Sequence, residues 1–253
     1  MSAKTYSLLT STLAALIVAF ASSAPQAQVA ELSFDCQKAK APDEHIICND
    51  RRLAELDQAV AIASHQAVEG SGNDAREVVR ETLAARHSCG EDSLCILDQQ
   101  VKAVDTLADL GSKVSIPPWV GTYRVDLFNE RRDPPTQTLP EQVGQCTVTK
   151  IAAISTRFGE ELKPPADEMD SSGSAVTFAN QGYQVSYTYV AAIADSHIGD
   201  EILLCLVSLP RDCPPGDTRG KFYSATNLKT TGVLAPPRRA AYVRWSMNKR
   251  RAQ

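Results

Sequence analysis

The stretch Ser112-Lys113-Val114-Ser115-Ile116-Pro117-Pro118 separates two halves of different periodicity. Consecutive prolines fix φ and push the preceding residue out of the helical region, so no helix runs through Ile116. On the N-terminal side apolar residues recur every three or four positions, and on the C-terminal side they alternate. The reading is an α+β chain. A disulfide-stapled helical hairpin or three-helix unit occupies residues 31–111, and a linker covers 112–118. A small antiparallel β sandwich or barrel covers 119–231.

Working back from the linker, Leu53, Leu56, Val60 and Ala63 form one helical stripe. Ser71-Gly72-Asn73-Asp74 interrupts it and offers a cap for a second helix, from about Ala75 to His87. Cys89-Gly90-Glu91-Asp92 is a second turn, after which Ile96, Val101, Val104 and Leu107 begin a third stripe. A core built from ~70 residues is marginal, so stapling by Cys36, Cys48, Cys89 and Cys95 is expected. A hairpin brings Cys48 and Cys89 to one end, with Cys36 and Cys95 close by. Three pairings remain open.

Working forward, Gly121–Phe128, Gln145–Ile151 and Tyr183–Val190 alternate and are predicted as strands. Glu201–Leu209 reads as a largely buried strand and Phe222–Leu228 as another. Asn180-Gln181-Gly182, Gly199-Asp200 and Pro214-Pro215-Gly216-Asp217 are the turns between them. Cys205 has two candidate partners, Cys146 and Cys213, and three cysteines in this half leave one over. Residues 232–253 hold six Lys/Arg and no acid, including Arg238, Arg239 and Lys249. This end reads as an unstructured or altered tail, or as a basic arm for anionic polymers.

At the start of the chain, Lys4 precedes an apolar run from Leu8 to Ala21, and small residues follow. This is the pattern of a secretory signal peptide over residues 1–27, cleaved between 21 and 27. The run is shorter than the ~20 residues a span needs, so no membrane span is expected. No cysteine closes it, so no lipid attachment is expected there. A periplasmic or secreted product is oxidised, in keeping with a disulfide framework.

Charge is unevenly distributed. Residues 31–111 carry sixteen Asp/Glu against eight Lys/Arg. Nucleic acid is therefore not an expected partner, while a cationic protein is. No cysteine–histidine cluster has metal-ligand spacing, and no metal or cofactor is expected. Asp195, Asp200, Asp212 and Asp217 lack the regular oxygen spacing of a calcium loop. His45, His65, His87 and His197 stand near no nucleophile motif, and Glu160-Glu161 and Asp167-Glu168 lie in a Pro-containing loop. No catalytic residue is assigned.

Ser33-Phe34-Asp35-Cys36, Ala39, Glu44, Ile47-Cys48, Leu53-Ala54-Glu55-Leu56-Asp57, Leu83, Arg86, Cys89-Gly90 and Cys95 form a recognisable set. Residues 33–108, which contain it, resemble the N-terminal domain of the LprI-type lysozyme inhibitors. The resemblance implies an all-α, disulfide-stapled envelope domain, some of whose members inhibit lysozyme. The chain departs from that family at Ser64, Thr82 and Gln100, where aromatic residues are usual, and so lacks three rings in a small core. The region from Gly199-Asp200 to Cys213–Asp217 more faintly resembles β domains found downstream of this unit in exported proteins, with no function attached.

The expected function is binding rather than catalysis: occlusion of a lysozyme-like cell-wall hydrolase by the acidic helical module. Lysozyme is basic with a carboxylate-lined cleft, so an acidic module would be steered to it. The candidate contacts are Asp43 and Glu44 before the first helix, and Glu91 and Asp92 between Cys89 and Cys95. Acids are also favoured at helix starts for capping, the structural alternative for all four. A second functional expectation is an envelope interaction module that binds cell-wall polymer or another envelope protein.

Overall fold

The computed structural model describes residues 32–167, 170–209 and 220–235. A single 3-10 turn, Cys36–Lys38, precedes five helices: α1 Pro42–Asn49, α2 Arg51–Ser71, α3 Asn73–His87, α4 Ser93–Ala108 and α5 Val120–Glu130. The strands are β1 Cys146–Ser155, β2 Ser174–Phe178, β3 Tyr183–Ser186, β4 Glu201–Ser208, β5 Phe222–Asn227 and β6 Val233–Ala235, with the short α6 Ala191–Ala194 before β4. No helix among the described residues is long and apolar enough to cross a membrane.

The helices begin where capping chemistry allows. Asp50 accepts from the N–H groups of Arg52 and Leu53 at the start of α2, and Asp92 accepts from Cys95 N at the start of α4. Gly72, at φ +56°, turns the chain between α2 and α3. Ala63, Ala67 and Ala75 pack with Leu107. Side chains this small let α2, α3 and α4 approach closely.

The six strands form one antiparallel sheet in the order β3-β2-β1-β4-β5-β6. It curls into an open half-barrel: Gln184 Nε2 on β3 donates to Tyr223 O on β5, four places away in the sheet. The expected small antiparallel β domain takes the form of this half-barrel sheet among the described residues. Ile151, Val176, Phe178, Ile202, Leu204, Ala225 and Leu234 fill its concave side, with Ile193 of α6 against them. The other side of β4 presents Leu203 and Cys205 to the helices, which buries β4 on both faces.

Gly121–Phe128 is the one predicted strand that is a helix, part of α5. Its residues satisfy both periods over so short a run. Val120, Arg124 and Leu127 are buried at helical spacing, while Tyr123, Val125 and Leu127 matched the strand pattern. Tertiary contacts decide between them. A Cβ on Gly121 would lie 1.9 Å from Thr231 O, so glycine is needed where α5 meets the β5–β6 turn. On the other side of α5, Trp119 Nε1 donates to Glu55, and the Arg52 guanidinium stacks on Tyr123 at 4.8 Å. The Tyr123 hydroxyl donates to Asp50. Burial and this bond to a carboxylate push its pKa upward.

Arg124 and Asp98 lock this arrangement. Arg124 is 1 % exposed and Asp98 5 %. Arg124 Nε and Nη2 reach Asp98 Oδ1 at 2.8 and 2.6 Å, and Arg124 Nη1 donates to Thr226 Oγ1 at 3.0 Å. Ser224 Oγ donates to Asp98 Oδ2 at 2.9 Å. Four groups from α4, α5 and β5 thus satisfy one another out of water. Gln99 Nε2 adds a bond to Val207 O of β4 at 2.6 Å. One buried cluster runs from Ile47 and Leu53 through Leu97 and Val101 to Leu127, Leu203 and Cys205.

Three disulfides form: Cys36–Cys48, Cys89–Cys95 and Cys146–Cys205. The first two close short loops within the helical unit rather than tying helix to helix. The third joins directly paired residues of β1 and β4 and closes 59 residues, the longest loop of the three, so it constrains the unfolded chain most. Cys213, the seventh cysteine, and the basic residues 236–253 lie outside the described residues.

Removing one partner of a buried ion pair strands the other charge. Asp98→Ala is expected to destabilise the protein by about 3–5 kcal/mol in urea unfolding followed by circular dichroism. Asp98→Ala combined with Arg124→Ala should cost less than the sum of the single changes. Additive losses would show that the two side chains do not act as a unit.

Candidate functional site

The start of α1, the middle of α2 and the end of α3 converge on a second buried network. Asp43 is fully buried and Arg86 is 4 % exposed. Arg86 Nε donates to Asp43 Oδ2 at 2.7 Å, and its Nη1 donates to Asp57 Oδ1 at 2.8 Å. Asp57 Oδ2 accepts from Ser33 N at 2.9 Å, and the Phe34 ring lies 5.7 Å from the Arg86 guanidinium carbon. The other oxygen of Asp43 sits 2.8 Å from His87 Nδ1. Burial pushes the Asp43 carboxyl upward, but hydrogen bonds from His87 and Arg86 outweigh it and hold the pKa below the ordinary value.

This network is a foundation for the turn that follows α3. Cys89 N donates to Arg86 O, Gly90 N to His87 O and Asp92 N to Cys89 O, so the turn is closed by successive backbone bonds. The Cys89–Cys95 bridge ties it to the first turn of α4. Gly90 takes φ +59°, a conformation that favours glycine. Asp92 caps α4 through Oδ1 and pairs with Arg131 through Oδ2. Arg131 in turn donates to Gly144 O at 2.9 Å, which joins the turn to the start of the sheet. Glu91 is exposed and makes no ion pair among the described residues.

The structure therefore separates the four expected contact residues. Asp43 is internal and unavailable to a partner in this fold. Glu44 Oε2 bends back to the N–H groups of Lys40 and Ala41, at 2.8 and 3.0 Å. These two bonds lower its pKa. Asp92 is half-buried and engaged at both oxygens. Glu91 alone presents an uncommitted carboxylate on the turn. Burying Asp43, Asp57 and Asp98 with Arg86 lowers the acidic surplus of residues 31–111 at the surface only slightly, since the other acids outnumber the remaining bases of that stretch.

Arg86, Arg124 and Arg131 are the residues that reading the acids alone missed. Arg86 and Arg124 lie among apolar neighbours in the sequence, and a lone basic residue on an apolar stripe was the available signal. The positions lacking aromatic rings have separate consequences. Ser64 borders an open, mainly apolar hollow of about 420 Å³ between α2 and α3, lined also by Val68 and Val79. Gln100 is buried and donates to Leu53 O at 3.2 Å, while its Oε1 has no partner among the described residues.

The remaining candidates are placed simply. His45, His65 and His197 are exposed, and His65 and His197 lie near Glu69 and Asp200. Asp200 accepts from His197 N and Asn227 Nδ2, an arrangement that closes the turn before β4. Asp212 and Asp217 lie outside the described residues. Among the described residues no group of three His, Cys, Asp or Glu is placed to hold a metal ion. Comparison of the chain with protein-family models, curated proteins and solved structures finds no match.

A carboxyl whose folded pKa lies below its unfolded value stabilises the fold above the unfolded value, about 3.9 for Asp. That contribution is lost as the pH falls through the lower folded value. Asp43→Asn is therefore expected to lower stability at neutral pH and to flatten its dependence on pH below about 4. Urea midpoints measured across that range test this, and an unchanged acid limb would mean that other carboxylates control it.

Proposed function

We propose that the protein is an exported, non-catalytic inhibitor of a lysozyme-like cell-wall hydrolase, and that the turn Ser88–Asp92 makes the contact. The observation that carries this reading is Glu91, an exposed carboxylate on a turn held by a disulfide, a helix cap and the Arg131 ion pair. A rigid turn loses little conformational entropy on entering a cleft, so more of its contact energy appears as affinity. The resemblance of residues 33–108 to LprI-type inhibitors supports the same assignment. Of the four candidate acids Glu91 remains as the contact, and Asp43, Glu44 and Asp92 act by shaping the turn and the helix starts. The three disulfides suit an oxidising compartment, and with the signal-like start of the chain the proposed location is periplasmic or secreted.

Lysozyme activity on bacterial cell walls, with and without the oxidised protein lacking residues 1–27, tests the proposal. Dose-dependent inhibition that weakens with added salt is the expected result. Glu91→Gln should weaken inhibition about tenfold. Asp74→Asn, at the far end of the helical unit, should change it less than about twofold. Absence of inhibition at micromolar protein would overturn the proposal, and full inhibition by Glu91→Gln would remove the turn from it.

A further inference from the structure

One end of the curled sheet carries a second arrangement, remote in sequence from the Cys89–Cys95 turn. After β1 the chain makes a tight turn over Thr156–Glu160. Thr156 N donates to Glu160 O at 2.8 Å and Gly159 N donates to Thr156 O at 3.0 Å. Thr156 Oγ1 accepts from Phe158 N and Glu160 N at 3.3 and 3.1 Å. Four bonds in five residues make this a rigid turn, yet Phe158 on it is 68 % exposed. A large ring held in water by a rigid backbone is not an accident of a loose loop.

The side chain of Arg157, on this turn, reaches Tyr187 just after β3. Its guanidinium carbon is 4.6 Å from the ring centres of both Phe158 and Tyr187, and Tyr187 is 44 % exposed. Among the described residues Arg157 makes no ion pair and its buried Nε has no hydrogen-bond partner. In this it differs from Arg86, Arg124 and Arg131, each of which is matched to a carboxylate. Gly173 packs against this arrangement at φ +74°: a Cβ there would lie 2.2 Å from Ser186 O and 3.3 Å from Arg157 Cδ. Through Thr156 and Glu160 the same turn, with Gly173, borders a polar hollow of about 160 Å³, lined also by Glu161, Asp170 and Tyr189. Lys163 is the one cation on its wall, and it already pairs with Glu161 at 2.7 Å.

We propose that this end of the sheet is a carbohydrate site for an amino-sugar polysaccharide. Exposed ring faces accept the apolar C–H face of a pyranose, while a few convergent polar groups fix its orientation. The hollow supplies carboxylate acceptors for sugar hydroxyls and amino groups, and its net negative lining disfavours an anionic polymer. Arg157 stacks against both rings and holds them in place. The site is built on loops at one end of the sheet, so it stands or falls independently of the Glu91 turn.

The test is calorimetric titration of the oxidised protein with tetramers of glucosamine, N-acetylglucosamine and glucose. Saturable binding is expected in that order of affinity, with the advantage of the free amine reduced at high salt. Phe158→Ala and Tyr187→Ala should each weaken binding about tenfold without moving the thermal midpoint, since both rings are exposed. Glu160→Gln with Asp170→Asn should narrow the difference between the glucosamine and N-acetylglucosamine tetramers. Absence of saturable binding at millimolar sugar would overturn the proposal. So would equal affinity for the glucose tetramer, or binding untouched by both ring substitutions in a folded protein.

Discussion

The ion pair between Asp98 and Arg124 is the constraint on which the remaining structure depends. Neither charge could be buried alone at tolerable cost. Together with Thr226 and Ser224 they satisfy one another, and in doing so they fix α5 against both α4 and β5. That fixation turns a helical unit and a sheet into neighbours sharing one buried cluster. It also brings Arg131, at the end of α5, to Asp92 and so to the base of the Glu91 turn.

The same chemistry recurs at Arg86 with Asp43 and Asp57, and it changes the meaning of the acidic composition. Carboxylates that look like a surface field in the sequence serve here as ligands for buried guanidinium groups. Three of these carboxylates are lost to the surface, and the rest of the acidic surplus remains there; short-range features add to it. The Cys89–Cys95 turn is one such feature. The Arg157 aromatic cluster is another, and its arginine differs in having no carboxylate partner among the described residues.

The two surfaces use rigidity in different ways. At the first, a disulfide and a helix cap limit the motion of a short polar turn. At the second, backbone hydrogen bonds to Thr156 hold an apolar ring out in solvent. Both would lower the entropy lost in the binding proposed for them, and both rest on side chains spread over distant parts of the sequence.

The sequence by itself determined the α+β class, the helices from Arg51 to Ala108, the strands at Cys146, Glu201 and Phe222, and the break near Pro117. These follow from periodicity and from proline and glycine chemistry, which act over a few residues. Capping was legible at Asp92, where a helix start was the structural alternative to a contact, and it is what the structure shows. Only the tertiary structure decided the rest. Gly121–Phe128 satisfied two periods, and contacts with Asp98 and Thr231 selected the helix. Asp43 looked like a surface acid, and Arg86, 43 residues away, made it internal. Cys146 chose Cys205 because the register of β1 and β4 places them opposite each other. In each case the deciding partner is distant along the chain, and no local pattern records which distant group will arrive.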